Sequence, residues 1–248
     1  MTHEFEVRES IEIDATPEQV WEAISTGPGI DSWFMGRNEI EGREGGRTRM
    51  TMGGLAHLGT VTAYEPGRRF GYASDQNPDG TFMAFEYLIE GREGGSTVLR
   101  LVHNGFLGDD WEAEYDALSV GDRMYLRKLA AYLEHFPGRT STYNLFAPGS
   151  RVTGPARAWA AFKDAFGLRG EISPGDPVRV SIEGLPPSEG VLEWADHGFM
   201  GARTGAGLYM LLLGHLGHVV VEYHDYTDDV DGERLETAWQ AWLEATFA

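Results

Sequence analysis

Residues 9 to 34, ESIEIDATPEQVWEAISTGPGIDSWF, constrain the fold more than any other stretch, because they place a strand, a capped helix, a turn and an aromatic pair within 26 positions. Val7, Glu9, Ile11 and Ile13 alternate with Arg8, Glu12 and Asp14, the period-2 pattern of a strand with one solvated face. Thr16-Pro17 then starts a helix. The threonine hydroxyl can accept a bond from an orphan backbone N–H, and proline in the first turn loses no hydrogen bond. Glu18 sits at the positive end of that helix dipole, Val20, Trp21 and Ile24 form its apolar face, and Gly27-Pro28-Gly29 stops it. Trp33-Phe34 follows a second short helical turn, and so much aromatic surface beside a turn implies that it closes something.

Strand-like runs follow at Glu39-Ile40, 47–52, 57–64, 69–74, 81–90 and 97–102, separated by turn chemistry such as Glu65-Pro66-Gly67 and Asn77-Pro78-Asp79-Gly80. The heptapeptide IEGREGG occurs at 40–46 and again at 89–95, which fits two polar hairpin turns. From Asp110 to His135 the apolar period becomes helical, and Phe136-Pro137-Gly138 stops it.

Strand, capped helix, Trp-Phe, hairpins and a long closing helix: this order resembles the helix-grip fold, in which a curved antiparallel sheet wraps a long C-terminal helix. More narrowly it is similar to the START-related superfamily that includes the Hsp90-ATPase-activator-like (AHSA1) proteins. The residues that carry the likeness are Ala15-Thr16-Pro17 leading to Val20-Trp21, Trp33-Phe34, Gly45-Gly46 before Arg47 to Met52, Gly59-Thr60-Val61 leading into Phe70, Ser96 to His103 with Gly105-Phe106, and Leu126, Leu129 and Tyr132-Leu133. They span about residues 5–138. One position departs from the pattern: where the family often has Gly-Trp at the start of the last helix, here Gly121 is followed by Asp122.

The second half repeats the plan in shorter form. Pro155 and Trp159 keep the four-residue offset of Pro17 and Trp21, and Trp239 with Trp242-Leu243 echoes Leu129 with Tyr132-Leu133. Strands are predicted at 143–146, 177–183, 190–195, 199–204, 208–213 and 218–223, with a last helix at 232–247. The fold class is therefore α+β, two tandem helix-grip units: an AHSA1-like domain over 1–138 and a shortened copy over 139–248. The copy lacks a clear Trp-Phe step; a single enlarged domain is the alternative.

Composition excludes several functions. A net charge of −19 opposes nucleic acid and anionic membrane surfaces, both of which need Lys and Arg. Without cysteine there are no disulfides, thiol nucleophiles or thiolate metal sites. Met1 to Glu6 carry no basic region ahead of an apolar run, and the apolar stretch 208–221 is too short to span a bilayer, so neither signal peptide nor membrane insertion is expected and a cytoplasmic protein is. His197, His215, His218 and His224 have no zinc-ligand spacing, so no metal is expected and no cofactor is implied. Nor is there a nucleophile elbow or a phosphate loop.

The fold implies a cavity between sheet and helix. Candidate ligand-binding residues are Trp33, Phe34, Met50, Met52, Tyr72, Phe82, Phe85, Tyr87, His103, Trp111 and Tyr115, with Leu101, Leu118 and Met124 beside them; alternation allows only about half of those on strands to face inward. Against this stands plain core packing. His103 is the one weak catalytic candidate, read as ending an apolar strand at the cavity mouth, where an imidazole serves as acid or base. Arg49 and Arg100 could bind a carboxylate if they point inward. The leading reading is a binding module for a hydrophobic small molecule in the first domain. The alternatives are a co-chaperone-like partner of an Hsp90-type chaperone, as the resemblance implies, and a polyketide-cyclase-like enzyme. A homodimer fits any of them.

Overall fold

The computed structural model describes every residue except Thr153, His215 and Ala248. The chain divides into two compact units, Met1–Thr140 and Ser141–Ala248. In the first, β1 (His3–Ile13) leads into α1 (Pro17–Ser25) and the short α2 (Gly27–Asp31). Thr16 and Gln19 make a reciprocal capping box, each side chain accepting the other's backbone N–H, so the helix start is fixed locally. Thr26 caps α2 by accepting the Gly29 N–H at 3.0 Å. Then come β2 (Arg37–Ile40), β3 (Arg47–Met52), β4 (Leu55–Glu65), β5 (Arg69–Ser74), β6 (Phe82–Gly91), β7 (Thr97–Leu107) and α3 (Trp111–His135).

These strands form one antiparallel sheet in the order β1-β7-β6-β5-β4-β3-β2. The two IEGREGG segments are the β2–β3 and β6–β7 connections. On β1 the odd residues Phe5, Val7 and Ile13 are buried and the even ones exposed, so this face is the inner one. Trp111, Tyr115 and Leu118 of α3 pack on it against Phe5, Val7 and Leu107. Burial along α3 is uneven: its residues from 111 to 123 stay partly or fully accessible, whereas Met124 to Leu133 are mostly buried.

The second unit consists of β8 (Tyr143–Arg151), α4 (Pro155–Ala165), β9 (Pro177–Val180), β10 (Ser188–Asp196), β11 (Phe199–Thr204), β12 (Gly207–Leu213), β13 (His218–Asp225) and α5 (Gly232–Phe247). Its six strands run β8-β13-β12-β11-β10-β9, the order of the first sheet with one edge strand fewer. Its own core gathers Phe162, Phe166, Tyr209, Tyr223, Trp239 and Leu243. The architecture is α+β, two antiparallel sheets each closed by a C-terminal helix, in two helix-grip units.

One sequence expectation is corrected here. His103 does not end its strand: β7 runs on to Leu107 and pairs along its whole length with β1, from His3 opposite Leu107 to Ile13 opposite Thr97. Asn104-Gly105 has turn chemistry, but partners on both sides keep it extended. Gly105 serves packing instead, because a Cβ there would collide with the Phe82 carbonyl.

Candidate functional site

A row of cross-strand neighbours builds the centre of the first unit. Val7 of β1 faces His103 of β7, His103 faces Phe85 of β6, Phe85 faces Tyr72 of β5, and Tyr72 faces Val61 of β4. Since neighbours in a row share a face, all five point inward toward α3. The His103 ring stacks on Phe85 at 3.9 Å between centroids and meets the Phe5 ring edge-on at 5.1 Å. Phe85 in turn stacks on Tyr72 at 5.0 Å.

The imidazole is 1% exposed. Its Nδ1 lies 2.9 Å and 3.2 Å from the two carboxylate oxygens of Asp122, on the facing turn of α3. A carboxylate only accepts, so Nδ1 carries a proton, and in the neutral imidazole Nε2 is then the acceptor. That Nε2 is buried and has no hydrogen-bond partner among the described residues. Next to Asp122, Arg123 binds Glu9 of β1 at 3.0 Å, a second tie between this turn and the sheet. Burial, and secondarily the charge of Asp122, raises the Tyr72 phenol above its ordinary range. Burial does the same to Tyr87, helped by Tyr72 and Asp122. The arrangement is a histidine whose Nδ1 is held by a carboxylate and whose outer nitrogen is buried among aromatic rings without a partner among the described residues.

The other residues read from the sequence divide. Phe85, Tyr72 and Tyr87 share the inner face with His103, and so do Met50 and Met52, which alternate with exposed Arg47 and Arg49. Trp111 stacks on His3 at 5.2 Å, and with Tyr115 it covers Phe5 and Val7. Trp33 is fully packed: its indole N–H donates to the Ala23 carbonyl at 2.9 Å, which locks α2 onto α1. Phe34 packs edge-on against Tyr125 of α3 at 4.7 Å. Phe82 stands on the opposite face of the sheet, paired with Phe106, because it is an odd number of residues from Phe85. Arg100 faces outward and binds Glu90 at 2.9 Å, and Arg49 is exposed. Sequence reasoning singled out Asp122 only as a departure from a pattern; its pairing with His103 depends on the rotation of α3, which spacing along the chain does not reveal.

In the second unit the corresponding row carries no histidine. Tyr223 of β13 lies between Leu145 and Tyr209, stacks on Tyr209 at 4.0 Å, and donates to Asp225 at 2.7 Å. His224 points from the other face and meets Asn144 Oδ1 at 3.2 Å, His218 is exposed, and His197 pairs with Asp196 at 2.7 Å. His215 lies outside the described residues. Among the described residues no three His, Asp or Glu side chains gather to hold a metal ion. No helix among them is long and apolar enough to cross a membrane.

A seven-stranded antiparallel sheet with the long α3 across its inner face makes the first unit a helix-grip domain. Residues 14–134 match the family model described as Activator of Hsp90 ATPase homolog 1-like protein. No curated protein sequence matches the chain. Among solved structures it is similar to the Aha1 dimer from Colwellia psychrerythraea, at 23% identity over 54% of this chain and 98% of that one with a TM-score of 0.44. Two further structures match along nearly the whole length. The di-domain ARO/CYC protein BexL of the BE-7585A biosynthetic pathway is 14% identical over 98% of both chains with a TM-score of 0.48. DynU16, from the dynemicin biosynthetic locus, is 20% identical over 97% of both with a TM-score of 0.45.

Proposed function

We propose that the first unit binds a hydrophobic, ring-bearing small molecule between the inner face of its sheet and α3, with a ligand hydroxyl donating to His103 Nε2. The observation that carries this reading is the buried, partnerless Nε2. Leaving a buried acceptor unmade costs about 1–3 kcal/mol, and a ligand hydroxyl would remove that cost. The surroundings fit: Phe85 and Tyr72 keep part of their surface accessible although Tyr72 is deep enough for burial to raise its phenol. The accessible first turns of α3 supply the side through which a ligand enters.

The test compares 2-naphthol with naphthalene by calorimetry on the full chain. Wild-type protein should prefer the naphthol about tenfold, the worth of one hydrogen bond at about 1.4 kcal/mol. His103→Phe keeps a ring on Phe85 and removes the acceptor, so it should erase the preference while naphthalene still binds. Equal binding of both probes to the wild type would sink the proposal.

A second reading is favoured by the carboxylate behind the imidazole. With Asp122 holding Nδ1–H, Nε2 is placed to take a proton from an acidic C–H or O–H of the bound molecule, as in a polyketide-cyclase-like enzyme. Binding and proton transfer separate in one variant: in Asp122→Asn the amide oxygen can still accept Nδ1–H and keep the naphthol preference, while loss of the carboxylate charge behind the imidazole should lower turnover of any activated substrate.

A further inference from the structure

The second unit holds an open cavity of about 400 Å³ that the His103 reading does not use. Its walls include Pro155, Trp159 and Phe162 from α4, Leu213 from the end of β12, and Ala195 and His197 at the β10–β11 turn. The internal repeat says what belongs there. In the first unit a bulge interrupts the β4–β5 pairing between Val61 and Ala63, and in the second one interrupts β10–β11 between Leu192 and Trp194. Past the bulges, Ala63 opposite Gly71 corresponds to Trp194 opposite Gly201, which makes Ala195 the counterpart of Tyr64. The counterpart of Trp159 is Trp21, each four residues after the proline that opens its helix.

In the first unit Tyr64 packs edge-on against Trp21 at 5.0 Å, and Phe70 meets the same indole at 6.2 Å. In the second, the Phe70 counterpart is Met200, opposite Ala195. Two rings have become a methyl group and a thioether chain, so Trp159 faces a space where its homologue faces a phenol. His197, with φ of 48°, and Gly198, with φ of 83°, make the tight turn that leaves this space open at the rim. Volumes of this size are ordinary for small-ligand sites.

We propose that the cavity is a second ligand site, which takes the aromatic ring of a small molecule in the place that Tyr64 fills in the first unit. Trp159 supplies the edge or face for the ring, with Pro155, Ala195 and Leu213 beside it and the Asp196–His197 pair at the open rim. The site is independent of the His103 reading, and either stands without the other.

The probe is p-cresol, the tyrosine side chain as a free molecule, titrated into the full-length protein and followed by amide chemical shifts. Saturable shifts are expected at 156–162 and 195–198. Ala195→Tyr should restore the first unit's arrangement, weaken p-cresol binding at these amides at least tenfold and raise Tm. Trp159→Leu removes the ring that the ligand packs on and should weaken binding by a similar factor; it keeps the test decisive if the tyrosine variant does not fold. His103→Phe should leave the dissociation constant unchanged. Absence of saturable shifts at these amides overturns the proposal, and so does undiminished binding to whichever folded variant fills or strips the site.

Discussion

His103 and Asp122 sit 19 residues apart in sequence and 2.9 Å apart in space, and their burial makes the pair sensitive to which partner is removed. Asp122→Ala strands Nδ1–H without an acceptor at a 1%-exposed site and should lower stability by about 1–3 kcal/mol. Replacing both partners by apolar groups, His103→Phe with Asp122→Leu, should recover most of that loss, because no polar atom is then left unmade. Urea unfolding of Asp122→Ala, of His103→Phe and Asp122→Leu singly, and of the double variant measures the difference, and additive losses would contradict the pairing. The same substitution reaches Tyr72. Its phenol is raised first by burial and then by the Asp122 charge, so Asp122→Ala should bring its titration down, though burial keeps it above the ordinary value of about 10. Tyrosinate absorbance in the near ultraviolet reports the shift.

Among the elements, α3 shows how far a sequence can be read. Its extent, 111–135, follows from apolar spacing, and β3, β5 and β11 fall where alternation and turn residues put them. Hidden from the sequence were the rotation that turns Asp122 toward β7, the pairing that carries β7 through Asn104-Gly105, and the parity that sends Phe82 outward; each is decided by a neighbour distant in the chain. Trp33 was legible as a large buried ring, but whether it closes a cavity or joins two helices depended on Ala23. Within α3, Gly121 lies one residue before Asp122, at the junction of the accessible and the buried turns, and a Cβ there would meet open space. Asp110 makes no side-chain cap at the helix start. An uncapped end and an internal glycine both weaken the first turns. Gly121→Ala should therefore stabilise the protein by about 1 kcal/mol. It should also slow amide exchange over 111–120 while leaving 124–133 unchanged. Unaltered exchange in the first turns would mean that tertiary contacts, and not helix propensity, hold them.

Across the whole molecule one plan is used twice with different furnishing. The first sheet's central row carries an imidazole and a phenol, and the second carries two stacked phenols in a core closed by Trp239. In both, the buried phenols are disposed to stay neutral. Burial is the first cause of the raised values at Tyr72, Tyr87, Tyr209 and Tyr223; nearby Asp122 reinforces it in one unit and Asp225 in the other. A group whose value is higher in the folded state contributes stability that is fully present below its unfolded value and lost as pH rises past it. For tyrosine that threshold is about pH 10, so these side chains leave stability flat through neutral pH and make it fall steeply above about 10. Each phenol that stays protonated in the fold adds up to ~1.4 kcal/mol per pH unit to the slope. A net charge of −19 steepens the decline through self-repulsion, a part that added salt screens. Two measurements separate the contributions: tyrosinate absorbance from the four phenols should appear together with loss of circular dichroism, and Tyr72→Phe with Tyr87→Phe should flatten the slope at fixed salt. If all ten tyrosines titrate near pH 10 while the sheet signal is intact, the phenols are reached by water and the ordering of both rows is wrong.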